Sequence, residues 1–144
     1  MYRTLLLLVT TLLFTSCARP WLSVKMRSFD RNDLASYVVD TPDPAKETLV
    51  FGQRLYIRWY LPQETFEQAP VTLNIRVRLQ NEQEIQEEIP VHGRWGSYMW
   101  MIQGKEYSTS GGILAYRITL TSNGTTLAQS SHKFWVEKIQ IDSE

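Results

Sequence analysis

His92 and His132 are the only histidines of the chain, and Cys17 is its only cysteine. Two imidazoles and a carboxylate are enough to hold a transition metal. These two lie 40 residues apart, with no acidic residue regularly spaced from either. Ser108-Thr109-Ser110-Gly111-Gly112 has the small, hydroxylated composition of a nucleophile loop. It lacks the Gly-x-Ser-x-Gly spacing, and no helical pattern follows to shape a nucleophile elbow, so it reads as a strand connection. Glu87 and Glu88 are adjacent and would project from opposite faces of a strand. They therefore cannot act together as a two-carboxylate centre. Glu87 falls in the inward phase, where a charge protects a sheet edge from pairing with another chain. Asp40 and Asp43 flank prolines without the further oxygen ligands that Ca2+ needs. No catalytic residue, metal site or cofactor is expected, and the chain reads as non-enzymatic.

Two other constellations suit binding. In the first, Arg54, Tyr56, Arg58 and Tyr60 occupy alternate positions and would form one outward row on a strand. Interleaved guanidinium groups and aromatic rings can grip an anionic or sugar-like ligand. Arg76 and Arg78 look similar, but the turn around Asn81 should bring them opposite Gln86 and Glu88, where cross-strand charge pairing explains them. The second constellation is Trp95, Tyr98, Met99, Trp100 and Met101, a candidate partner-binding segment. Alternation places only about half of such a run in one core. Either another segment, such as Trp21 to Met26, covers the second face, or that face meets a partner.

The elements that would position these groups are strands. Leu55, Ile57, Trp59 and Leu61 alternate with the Arg/Tyr row. Val71, Leu73, Ile75, Val77 and Leu79 alternate with polar residues, as do Tyr98, Trp100 and Ile102, and then Leu114, Tyr116, Ile118 and Leu120. Such period-two patterns define half-buried strands. Ile85, Ile89 and Val91 supply another strand. Ser122-Asn123-Gly124 marks a hairpin, because Asn-Gly accepts positive φ, and Thr125 to Ile141 returns from it. Trp21 to Arg27 reads as a short strand and Leu34 to Val39 as an edge strand, stopped at Thr41-Pro42-Asp43-Pro44. No helical periodicity appears after Cys17. Trp59 and Tyr116 are expected between the sheets.

The chain has 144 residues, of which 43% are hydrophobic and 12% aromatic, with 15 basic and 15 acidic side chains. That composition excludes a disordered chain, and the charge balance gives no footprint for nucleic acid. One cysteine excludes an internal disulfide and cysteine-rich zinc sites. Arg3 is followed by the ten-residue run Leu5–Phe14, mostly apolar. It falls short of the roughly 20 residues that span a bilayer and has the layout of an export signal. Phe14-Thr15-Ser16-Cys17 then resembles the lipobox of bacterial lipoproteins, with Phe14 where that family usually has Leu. The resemblance implies cleavage before Cys17 and acylation of its thiol, holding the chain to a membrane of the cell envelope. Ala18, in place of the retaining Asp of many lipoproteins, favours the outer membrane over the inner. Residues 17–144 carry 14 basic and 15 acidic side chains, so attachment is expected to rest on the acyl chains and not on attraction to anionic lipid.

Residues 1–16 thus read as a signal peptide, 17–40 as lipidated terminus, tether and edge strand, and 41–144 as the folded domain. Leu55 to Pro62 resembles the second strand of fibronectin type III-like domains, with its core Trp near the end and Pro after it. Tyr98 to Gly104 is similar to their fifth strand, and Tyr116 to Leu120 with Asn123-Gly124 to the sixth strand and final hairpin. The expected fold is all-β: an immunoglobulin- or fibronectin type III-like antiparallel sandwich of seven to nine strands. The expected role is a lipid-anchored, non-enzymatic module that binds an envelope protein. Escort of a secretion-system component, as by a pilotin, is a second expectation, and action on an envelope glycan a third.

Overall fold

The computed structural model describes residues 20–30, 33 and 51–137. The expected signal peptide (residues 1–16), Cys17, the expected strand from Leu34 to Val39, Asp40, Asp43 and residues 138–144 lie outside them.

Alternation is strictest in β3 (Val71–Leu79), where every odd-numbered residue is buried and every even-numbered one only partly so. The other strands are β1 (Trp21–Phe29), β2 (Gly52–Tyr60), β4 (Glu84–Val91), β5 (Trp95–Gln103), β6 (Ile113–Ser122) and β7 (Thr125–Ser131). They form two antiparallel sheets, β1-β2-β5 and β4-β3-β6-β7. The protein is thus an all-β sandwich of seven described strands. Its second, fifth and sixth strands are those that carry the three quoted motifs. Leu55, Ile57, Leu73, Ile75, Val77, Ile118 and Leu120 are fully or almost fully buried between the layers. Each such aliphatic side chain contributes roughly 1.5–3 kcal/mol by leaving water.

Along one side of the sandwich β1 packs beside β7. Along the other, β4 and β5 are the two edge strands, and the Tyr98 hydroxyl donates a 2.8 Å hydrogen bond to Glu87 Oε1 between them. At one end, the β2–β3 connection, the β4–β5 loop and the β6–β7 hairpin lie near the start of β1.

Four local expectations need correction. Two short helices are present, α1 (Gln63–Gln68) and α2 (Gly104–Ser110). Six and seven residues make fewer than two full turns, too few to display a 3.6-residue pattern. The Ser108–Gly112 segment ends α2, with Gly111 at φ 76° and its N–H bonded to Tyr107 O at 2.9 Å. Only glycine adopts that left-handed cap without steric cost. Leu114 is exposed, whereas Ile113 and Ala115 are buried. A bulge opposite Arg78 and Leu79 makes Leu114 the extra residue and flips the phase. Tyr116 is buried as expected, but Trp59 is only partly so. It packs against the core while its indole N–H reaches Gly93 O at 3.1 Å. Finally, Trp21 to Met26 covers no face: it belongs to β1, which pairs edge to edge with β2 in the same layer.

Candidate functional site: one face of the three-stranded sheet

In β2 the odd residues face the core, so Arg54, Tyr56, Arg58 and Tyr60 turn outward. In β5 it is the even residues that turn inward. Trp100 is in the core with 8% of its surface exposed, and Tyr98 packs against it. Alternation therefore splits the aromatic segment: Tyr98 and Trp100 belong to the interior, while Trp95, Met99 and Met101 face water. Trp95 is 79% exposed.

The β2–β5 register then merges the two constellations. Tyr60 lies opposite Trp95, Arg58 opposite Ser97, Tyr56 opposite Met99 and Arg54 opposite Met101. On the other side of β2, β1 sets Trp21 against Tyr60, Ser23 against Arg58, Lys25 against Tyr56 and Arg27 against Arg54. The result is one surface with aromatic residues across one end and methionines beside cations towards the other. Trp95 and Met101 are six residues apart, about 20 Å along the strand.

Side-chain contacts follow this order. Trp21 stacks on Tyr60, with ring centroids 6.5 Å apart and planes inclined by 22°. Arg94, in the loop before β5, sits 5.9 Å from the Tyr60 ring centroid, and its Nε donates to Leu61 O. Trp21, Arg58, Tyr60, Trp95 and Ser97 border a shallow depression of about 360 Å³ that also reaches Trp59 and Gly96. Further along, the Arg54 guanidinium lies 5.2 Å from the Phe29 ring centroid and 5.1 Å from that of Tyr56.

The charge on this surface has one sign. β1, β2 and β5 contain Lys25, Arg27, Arg54 and Arg58 and no Asp or Glu. Among the described residues none of these four cations has an ion pair. The balanced net charge thus conceals a local segregation of charge. The face is assembled by β-pairing between residues 23 to 51 positions apart, which no local spacing displays.

The opposite outer face is closed by contrast. Arg76 and Arg78 pair with Glu84, at 2.7 and 3.2 Å, and not with Glu88. The turn sets Glu84 directly across from Arg78. The segment after β7 folds back here. Trp135 lies under both guanidinium groups, 5.2 and 4.8 Å away, and Glu137 pairs with Arg76 and Arg117. Burial pushes the Glu84 pKa up, but hydrogen bonds from Arg76 and Arg78 and the charge of Arg76 outweigh it, leaving the carboxyl below its ordinary value.

The hydrogen bond to Glu87, reinforced by burial, raises the pKa of Tyr98, and burial raises that of Tyr116. His92 is exposed in the β4–β5 loop. His132 lies against Tyr116 at a ring separation of 5.6 Å. Among the described residues no three His, Cys, Asp or Glu side chains gather as a metal would require. No protein-family model, curated protein or solved structure matches the chain significantly.

Proposed function

We propose that this chain is a lipid-anchored lipoprotein of the bacterial cell envelope that works as a non-enzymatic binding module. The export signal and Cys17 supply the anchor, at the outer membrane by the identity of Ala18. The positions of β2, β5 and β6 support the fibronectin type III-like reading of the domain, and sandwiches of this kind present surfaces more often than they enclose clefts. The observation that carries the proposal is the outer face of the three-stranded sheet: exposed Met99 and Met101 opposite Tyr56 and Arg54, with Lys25 and Arg27 beyond these on β1 and no carboxylate in any of its strands. Exposed methionines adapt to a partner surface, and clustered like charge selects an acidic one. The partner is an envelope protein with a complementary acidic patch, docked on the Met99–Met101 half.

Two measurements test this. Metabolic labelling with a fatty-acid analogue should tag the wild type and spare Cys17→Ser; equal labelling of both rejects the anchor. A photo-crosslinker at Met101 should capture one envelope protein in living cells, while the same group at Thr126, exposed on β7, captures none. Arg27→Glu should then weaken capture by about tenfold, equivalent to about 1.4 kcal/mol. Indiscriminate crosslinking from both positions rejects the docking face.

A further inference from the structure

We infer that the Trp21–Tyr60–Trp95 end of the same face rests on the surface of an anionic lipid bilayer, which fixes the orientation of the anchored domain. The inference rests on acylation of Cys17 as proposed above, and adds a contact that the anchor alone does not require.

Distance is the first argument. Trp21, the first residue of β1, is four residue steps from Cys17. Fully extended at 3.3–3.6 Å each, they reach about 14 Å at most. A folded domain of 100 residues has a radius of gyration of about 13 Å, so its diameter exceeds that gap. No folded partner fits between this end of the sandwich and the membrane, and lipid is its nearest neighbour.

Chemistry is the second. Strand pairing sets Trp21, Tyr60 and Trp95 side by side at this end, and Trp21 and Trp95 are exposed. Indole and phenol rings favour the headgroup region, where the ring leaves water while its N–H or O–H keeps a polar partner. Arg58 occupies the next row and Arg94 flanks Tyr60, so two guanidinium groups lie within reach of lipid phosphates. Each basic side chain near an anionic surface favours contact about fivefold. The carboxylates that follow β2 in the chain, Glu64 and Glu67, belong to α1 in the β2–β3 connection and to none of the three strands.

The far half of the face, about 20 Å away at Met101, then stands clear of the headgroups and free for the protein partner. The two ends of one sheet surface would serve two neighbours.

The test uses the full chain purified from membranes and returned to vesicles of phosphatidylglycerol and phosphatidylethanolamine. Mass spectrometry records whether Cys17 carries acyl chains. Lipids brominated close to the headgroup quench tryptophan that touches them. The wild type should be quenched, more strongly with phosphatidylglycerol than without it. A variant carrying Trp21→Phe and Trp95→Phe should lose most of that quenching, while its unchanged melting temperature shows an intact core. An acylated but unquenched wild type overturns the inference and leaves the anchor standing. Quenching that persists in the double variant also overturns it, because Trp59, Trp100 or Trp135 would then be the reporter. Equal quenching without phosphatidylglycerol removes the anionic lipid and overturns it in that form. If Cys17 carries no acyl chain, the anchor fails, and vesicle-dependent quenching of the unmodified chain decides the face alone: its presence supports the inference and its absence ends it.

Discussion

Arginines line the outer faces of both sheets, and their surroundings differ completely. On the four-stranded sheet, Arg76, Arg78 and Arg117 are matched by Glu84 and Glu137, and Trp135 covers Arg76 and Arg78. Arg78 retains only 11% of its side-chain exposure. On the three-stranded sheet, Arg54 touches rings, and Lys25, Arg27 and Arg58 are exposed without a carboxylate in their own strands. The same side chain thus serves cohesion on one face and availability on the other. What separates the two is whether the chain supplies its own counter-charge. A surface whose cations are already paired and roofed has little left to offer a partner. A surface whose cations have no ion pair among the described residues, and whose rings are exposed, keeps both available for contact.

The contrast predicts where substitutions hurt. Glu84→Gln should cost most, about 1–3 kcal/mol, because it strands two partly buried guanidinium groups; chemical denaturation reads this directly. The matched change on the other face, Arg58→Gln, should leave stability within about 0.5 kcal/mol. Comparable losses from both would erase the distinction between the faces.

Trp135→Ala should cost about 1 kcal/mol, from loss of its contact with two arginines. Trp95→Ala should leave the melting temperature unchanged, since its ring lies in water. A destabilised Trp95→Ala would mean that the exposed face also serves cohesion.

A pH series sharpens the same point. The folded state holds the Glu84 pKa down, so its pairing stabilises the protein above the ordinary carboxylate range and is lost as the pH falls through and below that range. Glu84→Gln should flatten this part of the stability profile, and Arg58→Gln should leave it intact. The smallest effect is at high pH. The raised Tyr98 pKa favours the folded state below the ordinary phenol range, and that contribution fades as Tyr98 ionises. Ultraviolet titration of the wild type against Tyr98→Phe should show one of two late-ionising phenols disappear, with Tyr116 remaining.

The strands of the sandwich were legible because burial on one face imposes a period of two, most plainly from Val71 to Leu79. The Arg54–Tyr60 row was legible for the same reason. Its union with Trp95, Met99 and Met101 was not, since it depends on the pairing of β2 with β5 across about 40 residues of chain. Alternation alone also gave Tyr98 and Trp100 to the core, but not what lay on the other side of Trp95. Cross-strand charge pairing of Arg76 and Arg78 with the strand of Gln86 and Glu88 was legible, but not that Glu84 supplies the carboxylate, because hairpin register depends on turn geometry: here Leu79 N–H bonds Gln83 O and Glu82 takes φ 67°. Leu114 was misplaced because a bulge changes the phase without any mark in the local pattern.

The hydrogen bond from Tyr98 to Glu87 spans the side of the sandwich where β4 and β5, the edge strands among the described residues, lie together. Such edges invite pairing with the edges of other copies. An inward-facing carboxylate resists that encounter, since a strand docking against β4 would bring an apolar neighbour onto a charge. The phenol hydroxyl holds the carboxylate in this position and gives it a partner within the molecule. The domain therefore carries its own guard against growing into a stack.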